Sequence, residues 1–248
     1  MSTIPQLMNG NRLSHDAISD KGWYTRSVGD HCQIFSDFYG SGSLPTAAMA
    51  AGDGFVNHDT SSAGAPVLAY QAEADGVYRM KFASNDEVEY LATYLGDKCV
   101  IPPTKKPIFE ARVKITGTFS ADDRVVIGLA SARNNTLDNI VDHVWFRMEG
   151  ANFNILVEGD DGTTDNDDND TGTDWVSGTF VKLKIDMSDL TDVKYYVDGV
   201  LQSLPEKIDV SQMAAGDLLQ PYIEMQKDAG NVEHSVDIDY ISVLWQRS

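Results

Sequence analysis

Two pairs of carboxylates spaced two residues apart come closest, in this chain, to an arrangement that could do hydrolytic chemistry. Glu87 and Glu89 lie in NDEVEYLATYL, and Asp237 and Asp239 lie in SVDIDYISV. Residues two apart on a strand share a face. Glycoside hydrolysis needs two carboxyl groups about 5–5.5 Å apart for retention, or about 6.5–9.5 Å apart for inversion. Neither pair is extended by a third carboxylate that would tune its pKa, and neither is flanked by the Trp-rich platforms on which sugars stack. Alternating charge on the wet face of a strand accounts for both, so no catalytic residues are assigned.

The densest run of acid is EGDDGTTDNDDNDTGTDW, with eight carboxylates between residues 158 and 175. Hard oxygen ligands at alternate positions are what Ca²⁺ takes. Read from Asp167, the pattern begins like a calcium loop, but its twelfth position is Gly178, where a bidentate Glu is needed. A solvated acidic hairpin loop is the expectation, and no metal or other cofactor is assigned. His15, His31, His58, His143 and His234 are scattered singly, without the close pairs of a zinc site. There is no nucleophile elbow, phosphate loop or dinucleotide fingerprint. Trp145 and Trp175 read as core or loop plugs rather than ligand platforms.

The elements that must position these residues are strands. FVKLKIDMSDLTDVKYYVDGVLQ, residues 180–202, alternates with period two. Val181, Leu183 and Ile185 share one face of a first strand; Val193, Tyr195 and Val197 share one face of a second. Asp198-Gly199 is a dipeptide that tolerates the positive φ of a tight turn. Similar segments recur from CQIFSDFYG to SVDIDYISVLW, some eleven in all, with Gly40–Pro66 reading as a long loop. Asn134–Asn139 and Ser211–Ala215 read as short helical turns. This pattern predicts an all-β antiparallel sandwich or jelly roll. RVVIGLAS is apolar on both faces, which suits a central strand covered on its outer side or lining a cleft.

Residues 1–30 have no sustained period and read as an extended N-terminal arm, with at most one helical turn around Ser14–Ser19. Residues 31–248 form the sandwich domain. Ile4, Leu7, Trp23 and Tyr24 are the arm's candidate partner contacts. Acidic residues number 38 against 19 basic, a formal charge of −19. That field repels phosphates and anionic lipids, and the tightest basic cluster in sequence is only Lys105-Lys106, so neither nucleic acid nor membrane is expected. Cys32 and Cys99 are expected as free, partly buried thiols, a single bridge being the alternative. The first residues carry no apolar export signal, which points to synthesis in the cytosol.

FEARVKITG, VVIGLAS, TFVKLKIDMSDLTDVKYYVDGV and the closing VDIDYISVLW together resemble the concanavalin A-like (laminin G-like) jelly-roll superfamily. Ser36-Asp37-Phe38, the segment Asp86–Asp97, the acidic run and the 180–202 hairpin are similar to a group of tailed-bacteriophage virion proteins. That resemblance implies a non-enzymatic capsid decoration (cement) protein on the virion surface, made in the host cytoplasm. Its partners would be the major capsid protein and neighbouring copies of itself in a homo-oligomer. The Glu-x-Asp-x-x-Glu strand of laminarinase-like members is absent, and legume-lectin metal ligands have no counterpart here. The alternative is a carbohydrate-binding, lectin-like module contacting glycans through Tyr90, Tyr94, Trp145 and Tyr196. A glycoside hydrolase would require Glu87 and Glu89 to line an open cleft.

Overall fold

A computed structural model describes residues 7–8, 11–15, 23–27, 31–37, 54–71, 76–213 and 216–247. Near the N-terminus, β1 (Leu7–Met8), β2 (Asn11–His15) and β3 (Trp23–Ser27) pair antiparallel in a three-stranded sheet of their own. The expected helical turn is not what Ser14 and His15 adopt: both belong to β2, while 16–19 lie outside the described residues.

Two larger antiparallel sheets make the sandwich. The seven-stranded sheet runs in the order β13 (Asp165–Asp174), β12 (Asn154–Asp161), β11 (Asp142–Glu149), β10 (Arg124–Ala130), β17 (Gln220–Lys227), β8 (Glu89–Tyr94) and β5 (Val56–Asp59). The eight-stranded sheet runs β16 (Val200–Leu201), β15 (Lys194–Val197), β14 (Phe180–Asp186), β9 (Ile108–Gly117), β18 (His234–Gln246), β7 (Val77–Lys81) and β6 (Val67–Gln71). β4 (His31–Ser36) joins it on β18, which pairs with β9 along one side and divides the other between β7 and β4.

The period-two pattern is realised in the packing. Val181, Leu183 and Ile185 from β14 and Tyr195 and Val197 from β15 are buried in the core between the sheets, against Val125, Ile127 and Leu129 of β10. Each such side chain contributes about 1.5–3 kcal/mol through removal from water. Asp198 and Gly199 take φ of 48° and 80° in the turn between β15 and β16, and Asp198 accepts a 2.8 Å bond from the Lys182 amide, which ties that turn to β14. Trp175 is buried in the same core, as the plug reading expects.

Two strands of the sandwich also depart from expectation. β5 lies within the stretch read as a long loop. The acidic run is not a loop either, because ten of its residues form β13, an edge strand paired to β12. Carboxylates are poor strand formers, and that local preference argued for a loop. An edge strand has one side free for solvent, and charge there discourages pairing with another chain. The calcium-like pattern from Asp167 lies on this strand. Asp168 takes a φ of 48° and the pairing with β12 is irregular along this stretch; among the described residues no three His, Cys, Asp or Glu side chains are grouped to hold a metal.

Candidate binding face of the seven-stranded sheet

Alternate residues of the seven-stranded sheet point away from the core, and register aligns them into rows. One row reads Tyr94, Tyr222, Gly128, Trp145, Glu158, from β8 across β17, β10 and β11 to β12. Gly128 has no side chain, and the rings on either side approach over it: Trp145 and Tyr222 stack with centroids 6.4 Å apart. Tyr94 meets Tyr222 edge-on at 6.0 Å, and His143 stacks on Trp145 at 3.6 Å. Such aromatic pairs add about 0.5–1.5 kcal/mol beyond their area.

Ion pairs flank the aromatic row on both sides. The Trp145 indole donates to Glu158 Oε2 at 2.6 Å, and Arg147 Nη1 reaches Glu158 Oε1 at 3.0 Å. On the other flank, the Tyr222 hydroxyl donates to Glu224, which also takes Arg133 Nε at 2.9 Å. Burial drives both carboxyls toward their neutral forms. Glu158 is pushed up to about 7, with the Arg147 charge opposing the shift, and Glu224 is raised in the same direction against Arg133. His143 is pushed down to about 4 by burial, so it stays neutral beside Trp145.

The connection between β10 and β11 folds over this face. Leu137 and Ile140 pack on Trp145, Val126 and Ala130. His143 Nδ1 lies 2.7 Å from the Ile140 carbonyl oxygen, and the Gln226 amide donates to Asn135 O at 3.0 Å. Gln220, without solvent exposure, donates to Asp97 Oδ1 and Ser131 O, which ties this connection to the turn after β8. The outer face of RVVIGLAS is therefore covered, the first of its two expected fates.

Toward β5 the row remains partly open. Tyr94 and Tyr90 are half-buried, as is His58 on β5. Burial raises the Tyr94 hydroxyl's pKa, with Asp97, Arg133 and Glu224 the charges that act on it. Of the four glycan candidates, Tyr94 and Trp145 share the row, and Tyr90 lies on the same face of β8 two pleat repeats away, beyond Ala92. Trp145 is fully buried under the covering connection. Tyr196 belongs to the other sheet, on β15, where Lys184 Nζ sits 4.7 Å from its ring. A strand's period reports which residues share a face, not which sheet the strand joins. Arg133, Arg147, Glu158, Tyr222 and Glu224 escaped sequence reasoning, although the alternation Tyr222, Glu224, Gln226 was its visible signal.

The carboxylate pairs are not where alternating charge on a wet face would put them. Glu89 points inward and is fully buried, 3.3 Å from the equally buried Lys227, whose ammonium also donates to Ala83 O and Asn85 O. Glu87 instead holds the turn at Ser62 and Ala63 through their backbone amides. The two residues line no common cleft. Asp237 is fully buried between Arg79 and Lys114, and Asp239 pairs with Arg112 at 2.6 Å. The backbones of Glu158 and Glu224 stand three strand spacings apart, about 14 Å across the sheet. Ile4 lies outside the described residues; Leu7 is in β1, and Trp23 and Tyr24 are in β3. Cys32 and Cys99 are free and half-buried.

Among solved structures, a protein of unknown function from Shewanella oneidensis MR-1 matches with a TM-score of 0.59 at 14% identity, over 98% of this chain and 97% of that one. The Emp47p carbohydrate recognition domain matches with a TM-score of 0.52 at 12% identity, over 86% and 97%. The fold is a concanavalin A-like jelly roll. A third match, at a TM-score of 0.58 and 9% identity over 86% and 99%, is described with the endo-acting O-glycanases that members of the human gut microbiota express to initiate mucin breakdown. No protein-family model and no curated protein sequence matches the chain.

Proposed function

We propose that this chain is a non-enzymatic carbohydrate-binding domain that takes its ligand on the outward face of the seven-stranded sheet, at the open end around Tyr94 and Tyr90. The observation that carries the reading is the aromatic row itself. It runs from fully buried Trp145 to half-buried Tyr94, where exposed Asp97 acts on that tyrosine, while Arg133 and Glu224 are buried and paired with each other. A sugar needs such a pairing of an aromatic face for its C–H groups with charged hydrogen-bonding groups for its hydroxyls. The likeness to a carbohydrate recognition domain supports the same direction. Binding of the full chain to a glycan array, repeated with Tyr94→Ala, tests it. The variant is expected to bind about tenfold more weakly. A wild-type chain that binds no glycan sinks the proposal.

A second reading is a virion decoration protein. It draws on the bacteriophage resemblance and on the separate β1–β3 sheet, a small element with no strand shared with the sandwich. In that reading Ile4, Leu7, Trp23 and Tyr24 attach the body to a capsid lattice and to neighbouring copies. Locating the protein in purified virions and deleting residues 1–30 tests it; capsid binding unchanged by the deletion removes the arm as the attachment element.

A further inference from the structure

One end of the sandwich holds four ionisable side chains with no exposure. His234 begins β18, Asp123 precedes β10, Lys227 ends β17 and Glu89 begins β8. Phe82 joins them: its ring meets His234 edge-on with centroids 4.6 Å apart, and Lys227 Nζ lies 5.4 Å from its centre. Glu89 and Lys227 compensate each other at 3.3 Å. Among the described residues Asp123 has only His234 as a charge partner, with Nδ1 3.6 Å from its Oδ2, beyond hydrogen-bonding distance.

The imidazole is clamped as well as buried. Phe119 lies tilted against it with centroids 4.1 Å apart, on the side not taken by Phe82. Neither ring nitrogen makes a hydrogen bond of good geometry, although the Thr118 backbone also faces the ring. The backbone is equally tight, since a Cβ at Gly117, the register partner of His234, would stand 2.3 Å from Glu233 O and 2.7 Å from His234 Cα. Asp123 is committed elsewhere. Its Oδ2 accepts from the Ser120 amide at 2.6 Å and its Oδ1 from the Asp228 amide at 3.1 Å. That one carboxylate ties the connection 118–123, between β9 and β10, to the connection 228–233, between β17 and β18.

A neutral imidazole suits this clamp. A proton on it would set a second cation near Lys227 in apolar surroundings, which is costly. The compensating attraction of Asp123 is gained only if that carboxylate leaves the amides it holds. The other acids of the second connection, Asp228 and Glu233, are exposed, and Glu233 pairs with Lys81. We propose that His234 is an acid-sensitive latch, whose protonation releases the 118–123 and 228–233 connections from each other while the sheets stay closed. Burial pushes the imidazole down to about 3, with Lys227 acting in the same direction and the Thr118 backbone opposing. The closed latch is therefore fully favoured above the ordinary value of about 6.5 and loses ground as pH falls toward 3. Uptake of one proton on opening raises the open population about tenfold per pH unit in that window.

Hydrogen exchange of the full chain, followed amide by amide by NMR between pH 7.5 and 4.5, tests the latch. Protection of the Ser120 and Asp228 amides, corrected for the intrinsic pH dependence of exchange, should fall about tenfold per unit below pH 6.5. Dilute urea should leave these two amides unchanged while speeding exchange at Val113 and Leu183 inside the sheet, because a local opening exposes little surface. His234→Phe keeps a ring between Phe82 and Phe119 and should remove the pH slope; His234→Gln repeats the test with a polar side chain that does not titrate. Protection at Ser120 and Asp228 that is flat with pH, an undiminished slope in both variants, or a urea response as steep as that of the sheet amides overturns the proposal.

Discussion

Trp145 and Tyr222 come together over Gly128, the residue that separates them in their row. A Cβ at Gly128 would stand 2.3 Å from the Val144 carbonyl oxygen and 2.6 Å from Trp145 Cα, both backbone atoms that cannot swing aside. Gly128→Ala must therefore push β11 away from β10 and separate the rings. A loss of roughly 2–3 kcal/mol is expected. At about 2–4 °C per kcal/mol for a chain of this size, thermal unfolding reads it directly, together with a red shift of tryptophan emission.

Glu158 gives the fold a pH dependence of definite sign. Burial pushes its pKa up to about 7 from an ordinary 4.5, so the native state holds a proton that the unfolded chain has released. Stability from this group is complete below pH 4.5 and is lost as pH rises through 7, by roughly 3 kcal/mol. Glu158→Gln keeps an acceptor for the Trp145 indole and cannot titrate. Urea unfolding from pH 4.5 to 8 should slope less in the variant; an unchanged slope shows that another group dominates.

The buried pair of Glu89 and Lys227 predicts an asymmetry between single and double substitution. Lys227→Met strands a carboxylate that has no exposure and is expected to cost about 3–5 kcal/mol. Adding Glu89→Leu to it should recover most of that loss, because a well-packed apolar pair needs no charge compensation. Denaturant midpoints of the two variants decide the matter. A double variant no better than the single one would mean that the ammonium's bonds to Ala83 and Asn85 matter more than its partner.

Burial pushes the Cys99 thiol up to about 11, which leaves little thiolate at neutral pH. Its reaction with a thiol reagent at pH 8 should be slower than that of free cysteine and should accelerate when the protein is unfolded. Mass analysis under non-reducing conditions should find Cys32 and Cys99 unlinked.

β13 owes its solubility to its acid. Replacing Asp165, Asp167, Asp170 and Asp174 with Thr raises strand preference and removes the charge that keeps this edge single. The expected outcome is concentration-dependent association, seen by light scattering, with little change in the unfolding midpoint.

The fold was readable in the sequence wherever one face of a strand is apolar. Val181, Leu183 and Ile185 announced β14, and Asp198-Gly199 announced the turn after β15. Reading failed where tertiary context overrode local preference. Asp165–Asp174 forms a strand only because β12 offers it a partner, and β5 is four residues long with a single buried valine. The candidate face was half legible: Tyr90 and Tyr94 stood out by type. Glu158, however, was one acid among eight, and Arg133 lies in a connection that the sequence does not fold back over the sheet. Glu89 and Asp237 looked solvated because alternation reports which residues share a face and says nothing about what else covers it.

β18 carries a consequence for how the molecule is made. It lies between β9 on one side and β7 with β4 on the other, and its β7 and β4 partners are more than 150 residues away along the chain. During synthesis, β4, β7 and β9 all emerge long before the strand that unites them, so the eight-stranded sheet closes only after residue 246 has left the ribosome. Loop closure over such distances makes folding slow, and the unpaired edges of β7 and β9 stand open while they wait. A chain cut at residue 233 should lose the whole sheet, not merely its last strand.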